Sequence, residues 1–281
     1  MSALPTGATL EPLVRLLDAH PLPAADGDKD QRGTVVVIAG SDSCPGAAIL
    51  TGVAALRAGA GRVQIFTAPE VAVAVGIAIP ESLSVGWAGA DDEQLLSRLE
   101  DADSVCIGPG LDREAPDIAL AVLTHLDRNV PVLLDALAIP AAHAYAEAGQ
   151  RFVIAPNVKE ATELHPEPML EQGVGPLAAA LTSALHAPVA VRGETTVVAH
   201  GEAAWWAKGA VGLGTAGSGD VLAGVTAGML ARSLDPAAAV GWGVAVHARA
   251  GRELSGHRSN PGFLARELLD VIPDAIESLT T

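Results

Sequence analysis

Short, continuous hydrophobic segments alternate along the chain with amphipathic or small-residue segments. Residues 34–39, 63–67 and 104–107 are rich in β-branched side chains, which is typical of strands buried on both faces. Strands that alternate with helices predict an α/β fold with a mostly parallel central sheet and helices on both faces. Further strands are predicted at residues 132–135, 152–155, 189–191 and 196–200, and helices at 46–59, 91–99, 117–125, 140–148, 158–164 and 177–185.

Glycine, proline and polar or charged residues directly follow several of the predicted strands. In open parallel sheets, ligands bind beyond the carboxyl ends of the strands. We therefore expect these residues to converge on one edge of the sheet and to form a single site. They are Gly-Ser-Asp at 40–42, Gly-Pro-Gly at 108–110, Asp135, Pro156-Asn157 and Arg192-Gly193.

A glycine-rich segment, residues 212–220, stands before a predicted helix at 221–231. Glycine allows backbone N–H groups to approach an anion closely, and a helix N-terminus adds the positive end of its dipole. We predict an anion hole formed by Gly217, Ser218 and Gly219. A carboxylate normally avoids phosphate, so Asp220 indicates a base or a metal partner. The alternative is that Asp220 only caps the helix.

The same segment also matches a dinucleotide-binding fingerprint. Gly212, Gly214 and Gly217 have its spacing, and Asp235 lies near the expected distance downstream. That fingerprint requires a strand before it and a complete βαβ unit around it. The residues after the loop, including 237–254, are instead predicted to be almost wholly helical, which argues against a Rossmann unit.

Length and charge restrict the possible architectures and partners. With 281 residues, the chain can form one α/β domain or two small ones; we divide it into an N-terminal helix and linker, residues 1–32, and a main domain, residues 33–281. A formal charge of -16 argues against nucleic acid or an anionic membrane as a partner. An anionic ligand would therefore need local backbone donors or a metal ion.

Cysteine content and hydropathy indicate a cytoplasmic protein. The two cysteines, Cys44 and Cys106, form no Cys-x-x-Cys motif, as expected in a reducing compartment. No basic and apolar leader opens the chain, and no apolar run is long enough to cross a bilayer. Alanine-rich helix faces suggest, weakly, a homo-oligomer.

A Gly-x-Gly-Asp loop late in an α/β chain resembles the ribokinase-like superfamily. The resemblance implies a three-layer sandwich, in which the loop amides bind an anion and Asp220 removes a proton from the acceptor hydroxyl. Asn157-Val-Lys-Glu160 resembles the Asn-x-x-Glu signature of that superfamily, whose acid acts through magnesium and water. Glu160 is therefore a candidate for a water-mediated Mg²⁺ contact, since a hard cation prefers oxygen ligands. Taken alone, Glu160 could equally be a solvated acid in the first turn of a helix.

Within the superfamily, the chain resembles the ADP/ATP-dependent NAD(P)H-hydrate dehydratases from about residue 33 to residue 272. Four segments carry the resemblance in order: residues 40–48 with 55–61, 108–111, 192–196 and 214–224. It implies that hydrated NADH or NADPH (NADHX or NADPHX) is phosphorylated by ADP or ATP and then loses phosphate to restore NAD(P)H. For the homo-oligomer, we consider a tetramer one form.

The resemblance also assigns site residues by position. It implies substrate contacts at Ala47, Gly110, Asn157 and Asp220. It implies nucleotide contacts at Arg192, Gly193, Glu194, Thr195, Thr196 and Gly219.

Three departures from the family pattern keep alternatives open. Asn157 stands where the family has a substrate-contacting His, Arg192 replaces a Lys, and Ile139 ends a segment that usually ends in Leu. The Asn157 change favours the alternative of a magnesium-dependent kinase of a small hydroxylated metabolite such as a hydroxymethylpyrimidine. A nucleotide-binding regulator without activity is a third hypothesis, against which the intact Asp220 argues.

Several other residues invite functional interpretations. Trp205 and Trp206 could stack on adenine, but we expect one to pack in the core and one to lie at an interface. For His247 we expect a structural role on a helix rather than a catalytic one.

Overall fold

The computed structural model describes residues 10–23, 28–87, 89, 92–165, 173–256 and 262–280. Ten strands form one sheet in the order β1-β10-β9-β8-β7-β6-β5-β2-β3-β4. They are β1 (Leu10–Pro12), β2 (Thr34–Ile38), β3 (Arg62–Thr67), β4 (Leu83–Gly86), β5 (Ser104–Ile107), β6 (Val132–Leu134), β7 (Phe152–Ile154), β8 (Val189–Val191), β9 (Thr195–His200) and β10 (Ala203–Lys208).

Eleven α-helices are formed by the described residues. They are α1 (Val14–Ala19), α2 (Pro45–Arg57), α3 (Ala72–Ala78), α4 (Glu93–Glu100), α5 (Ala115–His125), α6 (Ala142–Glu147), α7 (Val158–Leu164), α8 (Val174–Leu185), α9 (Ser218–Ala231), α10 (Pro236–Gly256) and α11 (Ala265–Thr280).

The sheet is parallel throughout except at β9, which runs antiparallel to both β8 and β10. The strand order reverses between β2 and β5: β3 and β4 follow β2 toward one edge, and β6 to β10 extend toward the other. Such a reversal opens a crevice at the carboxyl ends of the two central strands, where ligands of α/β proteins bind. The loop after β2 and the turn after β5 both lie at this point.

Two hydrophobic cores, one on each face of the sheet, make the three layers. Along β2, Val35 and Val37 lie in the first core and Val36 and Ile38 in the second, as the period of two in a strand requires. Helices α1, α2, α3, α9, α10 and α11 cover the first face, and α4 to α8 cover the second. The α/β fold predicted from the sequence, with a mostly parallel central sheet, is therefore confirmed.

The N-terminal segment differs from the single helix that we predicted within residues 1–32. Leu10–Pro12 is strand β1, which pairs in parallel with β10, and only Val14–Ala19 is helical. The free edge of β10 offers the backbone of residues 10–12 hydrogen-bonding partners, and the Leu13 N–H extends this pairing to the Trp206 carbonyl oxygen at 2.9 Å. The sheet thus includes residues on both sides of the boundary at residue 32. Part of the predicted linker, residues 24–27, lies outside the described residues.

Besides β1, three elements were not anticipated from the sequence: α3, β4 and β10. On β10 the side chains alternate, with Trp205 packed partly against the first core and Trp206 38% exposed. The predicted helix at 140–148 begins earlier, as a 3₁₀ turn at Ala136–Ala141. Ala136 has a positive φ of 48°, so the chain turns sharply directly after Asp135.

Helices α2 and α9 approach each other closely because α9 presents glycine to α2. A Cβ at Gly224 would overlap the Thr51 carbonyl oxygen, and one at Gly228 would lie 2.7 Å from the Ala55 carbonyl oxygen. The Thr51 hydroxyl also donates to the Asp220 carbonyl oxygen at 3.2 Å. This contact fixes the first turn of α9 above the ends of the strands.

We predict that Gly224→Ala lowers the free energy of unfolding by about 1–3 kcal/mol, the usual cost of forcing a methyl group into a packed contact. Urea denaturation measures the change. Gly76→Ala on α3 is the matched control, because its Cβ would lie at an ordinary 3.5 Å from the Ser84 Cβ. Equal denaturation midpoints for the Gly224 variant and the wild type would show that the contact can open without cost.

Candidate functional site

The loop after β2 and the turn after β5 are joined at the strand-order reversal. The Gly40 N–H donates to the Pro109 carbonyl oxygen at 2.8 Å, and Gly40 has a φ of 78°. Gly110 has a φ of 65°, and a Cβ there would lie 2.5 Å from the Ala47 Cβ and 2.8 Å from the Cys44 carbonyl oxygen. Only glycine fits this contact. The structure therefore brings Ala47 and Gly110 together, with the Ala47 side chain buried at 2% exposure.

Three further strand ends meet at the guanidinium group of Arg192. The Arg192 N–H donates to the Pro156 carbonyl oxygen at 2.8 Å, which extends the pairing of β7 and β8. Its Nη2 lies 3.5 Å from Glu160 Oε2 and 3.8 Å from Asp135 Oδ1. Asp135 in turn lies against the turn after β5, since a Cβ at Gly108 would overlap the Asp135 carbonyl oxygen. The predicted convergence of the strand ends on one edge is confirmed.

The glycine loop closes over the same edge. Gly217, with a φ of 85°, is the N-cap of α9, and Leu50 of α2 and Ala265 of α11 leave no room for a side chain on it. Helix α9 begins at Ser218, so Asp220 stands inside its first turn and is not the N-cap. A Cβ at Gly219 would lie 2.5 Å from Arg192 Nη1, so the guanidinium rests against this turn.

Burial shapes the electrostatics of two carboxylates that feel the charge of Arg192, Asp220 and Asp135. Desolvation raises the pKa of Asp220 from 3.8 to about 6, and the Arg192 charge opposes this rise. Burial also raises the pKa of Asp135 to about 6, against the effect of Arg192 and with added repulsion from Glu160 and Asp220. A carboxylate with a pKa near 6 is a suitable general base at neutral pH.

Asn157 and Glu160 form a reciprocal cap at the start of α7. Asn157 Oδ1 accepts from the Glu160 N–H at 3.0 Å, and Glu160 Oε2 accepts from the Asn157 N–H at 2.8 Å. The Asn157 side chain therefore has its Nδ2 group left to offer to a ligand.

Magnesium has no ready-made set of protein ligands among the described residues, where no three His, Cys, Asp or Glu side chains are grouped to hold a metal ion. Mg²⁺ usually keeps several waters and binds through one or two carboxylates together with nucleotide phosphates. Glu160 is a single carboxylate beside Asn157 and Arg192, which suits such an outer contact, although one of its oxygens already faces these two residues.

A cavity of about 610 Å³ opens beside the glycine loop. Of the residues predicted to contact nucleotide, Arg192, Gly193, Glu194 and Thr196 line it, while Thr195 pairs with Lys208 on the neighbouring strand. Asn157 and Ser218 also line this cavity. A further part of the lining was missed from the sequence. It comes from the end of the undetected β10, from the two residues after that strand and from α10: Lys208, Gly209, Ala210, Val244, His247 and Ala248.

His247 lies at this cavity, where its Nε2 is 2.8 Å from Ser218 Oγ. Burial lowers the pKa of His247 to about 4, with a further lowering by the Arg192 charge, so the imidazole is neutral at physiological pH. The two tryptophans of β10 are not part of the described cavity lining. Cys44 is exposed on the first loop and Cys106 is buried.

Comparison with known proteins supports one family. The family model described as NAD(P)H-hydrate dehydratase matches residues 35–274. An ADP-dependent (S)-NAD(P)H-hydrate dehydratase of Xanthomonas campestris is 38% identical over 94% of this chain and 94% of the relative. The enzyme of the same name from Bacillus subtilis is 31% identical over 89% of this chain and 91% of the relative.

Solved structures agree with the sequence comparison. The ADP/ATP-dependent NAD(P)H-hydrate dehydratase of Bacillus subtilis, co-crystallised with ATP and Mg²⁺, superposes with a TM-score of 0.81 at 27% identity, over 98% of this chain and 100% of that one. A ribokinase-like superfamily protein of Enterococcus faecalis, 23% identical, has a TM-score of 0.82 over 99% of both chains and thus shares the fold. A hydroxyethylthiazole kinase of Pyrococcus horikoshii reaches a TM-score of 0.62 at 18% identity.

We predict that Asp220→Asn makes the protein more resistant to heat at pH 8. A carboxyl with a raised pKa in the folded state holds its proton more tightly there than in the unfolded chain. Stability therefore falls as pH rises from about 4 to about 6, and the full penalty is present above pH 6. Asn carries no charge and escapes this penalty.

Thermal unfolding followed at pH 8 and pH 5 measures the effect, with the gain in Tm expected to shrink at pH 5. Asp270→Asn is the matched control on the exposed side of α11, and it should give no comparable gain. A lower Tm for the Asp220 variant at pH 8 would mean that the ionised carboxylate stabilises the fold.

Proposed function

The chain belongs to the NAD(P)H-hydrate dehydratase family, and from this premise we propose that Asp220 is the base that removes the proton of the substrate hydroxyl group. The protein is a nucleotide-dependent dehydratase, a lyase that restores NADH or NADPH from its hydrate, and not a kinase of a small hydroxylated metabolite. The single observation that carries the proposal is the position of Asp220. It lies half-buried in the first turn of α9, with a pKa raised to about 6, within the field of Arg192.

The proposed chemistry has two stages. In the first, Asp220 accepts the hydroxyl proton while the hydroxyl oxygen attacks the terminal phosphorus of the nucleotide, and the bond from that phosphorus to the nucleotide oxygen breaks. In the second, the ring carbon–oxygen bond breaks, phosphate leaves with the electron pair, and the neighbouring ring carbon loses a proton to form the double bond. Hydroxide is a poor leaving group at neutral pH and phosphate a good one, which explains why the reaction uses a nucleotide.

The first turn of α9 is proposed to stabilise the negative charge of the transferred group. Backbone N–H groups at a helix N-terminus lack intrahelical partners and point toward an anion placed there. Gly217, Ser218 and Gly219 would provide this anion hole. The Ser218 N–H donates to the Thr215 carbonyl oxygen at a long 3.3 Å, so an anion has only a weak bond to displace.

Arg192 is proposed to contribute the positive charge at the same point. Its guanidinium lies between Asp135 and Glu160 and rests against Gly219, where a phosphoryl group in the anion hole would also lie. A planar guanidinium can donate two parallel hydrogen bonds to phosphate, which the family's Lys cannot. The replacement of Lys by Arg192 is therefore compatible with nucleotide binding.

The cavity beside the loop is proposed to bind ADP or ATP. Its lining by Arg192, Gly193, Glu194 and Thr196 supports this assignment, as does the dependence on ADP named for two relatives. Thr195 and Gly219 complete the proposed nucleotide contacts. Substrate contacts are proposed at Ala47 and Gly110, at Asn157 through its Nδ2 group, and at Asp220.

Magnesium is proposed to accompany the nucleotide, with Glu160 as the residue that holds it through water. Bound there, the cation would screen the charge of the phosphates. The co-crystallisation of the Bacillus subtilis relative with ATP and Mg²⁺ supports this proposal.

We propose that the protein is cytoplasmic. Two unpaired cysteines, one of them exposed, suit the reducing cytoplasm. None of the described helices is long and apolar enough to cross a membrane. We propose a homo-oligomer, with a tetramer as one possible form.

We predict that Asp220→Asn lowers kcat by about 10²-fold or more and changes nucleotide affinity by only a few-fold, because the variant loses the base and keeps the shape of the loop. Turnover is measured by the return of NADH absorbance from hydrated NADH in the presence of ADP or ATP and Mg²⁺. Nucleotide binding is measured separately by calorimetry. A loss below tenfold would show that Asp220 is not the base.

We predict that Glu160→Gln raises the Mg²⁺ concentration needed for half-maximal turnover more than it weakens nucleotide binding without metal. The amide keeps the shape of the side chain but loses the charge that attracts the cation. Glu163→Gln is the matched control, since Glu163 lies three residues further along α7, is exposed and pairs with Lys159 at 3.8 Å. An unchanged Mg²⁺ titration would show that Glu160 only caps α7 and does not hold the metal ion.

A further inference from the structure

His247 and Ser218 form a contact between two helices that the proposed mechanism has not used. His247 lies on α10 and Ser218 is the first residue of α9, 29 positions away in the sequence. The helices approach closely because α10 presents Gly243, one turn before His247, to Thr226 of α9. The same packing directs the imidazole to the start of α9.

The contact belongs to the ligand cavity rather than to the hydrophobic core. Both His247 and Ser218 line the cavity, together with Arg192 and Gly214. Ser218 is only 2% exposed, so its hydroxyl group faces few water molecules. Its Oγ nonetheless stands in the loop whose amides would face the phosphates.

The chemistry of the two groups defines what the contact can do. A neutral imidazole carries one N–H, and a hydroxyl group carries one donor and two acceptor sites. When His247 Nε2–H donates to Ser218 Oγ, the hydroxyl hydrogen is free to point away from the ring and toward an anion in the loop. Each bond of such a chain polarises the next, so the serine becomes a better donor.

We propose that His247 is a positioning residue that turns the Ser218 hydroxyl into an additional hydrogen-bond donor to the phosphoryl group. In the chain of donors, His247 Nε2–H donates to Ser218 Oγ, and the Ser218 O–H donates to a phosphoryl oxygen. The imidazole remains neutral throughout, in agreement with its low pKa, so it neither gains nor loses a proton in the reaction. This inference rests on the proposed role of the glycine loop.

Replacement of His247 by three residues tests the proposal. His247→Gln places an amide N–H near the position of Nε2, whereas His247→Asn is too short and His247→Leu has no donor. We expect kcat to fall about tenfold in the Leu and Asn variants, less than the 10²–10³-fold cost of losing a direct anion-hole donor. The Gln variant should remain within about threefold of the wild type. The KM for nucleotide should change little in all three.

A double-mutant cycle separates positioning from packing. Because His247 acts through Ser218, the His247→Leu/Ser218→Ala double variant should turn over no more slowly than Ser218→Ala alone. His200→Leu, at the exposed end of β9, is the control for exchanging a histidine and should be fully active. Thermal unfolding of each variant shows whether it is folded.

Each outcome decides the question. Multiplicative losses in the double variant, an unimpaired Leu variant, or a folded Gln variant as slow as the Leu variant would overturn the proposal. A rise in nucleotide KM alone would also overturn it, since it would make His247 a direct nucleotide contact. If Ser218→Ala and Asp220→Asn were both fully active, the loop itself would not be the site, which is a separate failure of the proposed function.

Discussion

The contact between α2 and α9 is the constraint on which the site depends. Glycine at positions 224 and 228 lets the backbones approach until a methyl group would overlap a carbonyl oxygen. This approach aligns the first turn of α9 with the carboxyl ends of the central strands, and the Thr51 hydroxyl ties the turn to α2 through the Asp220 carbonyl. Helix packing of this kind is rigid, because close-packed interiors tolerate little displacement. The geometry of the proposed site therefore depends on small residues that take no part in the proposed chemistry.

Arg192 organises the charges on this frame. Two carboxylates, Asp135 and Glu160, lie within 4 Å of its guanidinium. Its charge also lowers the pKa of Asp135 and Asp220 and so partly offsets the cost of burying them. The remaining penalty keeps both pKa values near 6 rather than near 4. Incomplete compensation thus produces carboxylates whose pKa suits the proposed base, and the protein gives up some stability at neutral pH to have them.

Much of the fold could be predicted from the sequence because buried parallel strands leave a strong signal. The runs that became β2, β5 and β7 are short, continuous and β-branched, and the special residues after them meet at one edge as expected. The edge strand β1 was mistaken for helix because its partner, β10, was itself undetected. Pairing with a distant strand decided that conformation, and local periodicity cannot reveal such pairing.

Some residues of the proposed site could likewise be found from the sequence, and others could not. The glycine loop, Asp220 and Arg192 stand in recognisable motifs, and they are brought together in the structure. Asn157-x-x-Glu160 carries two signals at once, since the spacing of a superfamily signature is also that of a capping box, and the cap was overlooked. The contact of His247 with Ser218 has no local signature, because it depends on how closely α10 approaches α9.

The edge strand β1 shows that the folded unit includes residues that precede the region matched by the family model. The family match begins at residue 35, yet β1 covers the outer edge of β10, and the indole of Trp242 donates to the His20 carbonyl oxygen at 2.8 Å. Leu16 and Leu13 also pack against Gly241 of α10. A chain shortened to the region that the family model matches would leave the outer edge of β10 unpaired, and unpaired sheet edges promote aggregation. It would also lose the contacts that support α10, the helix that carries His247. Segments outside a family's common core can thus protect its active centre from a distance.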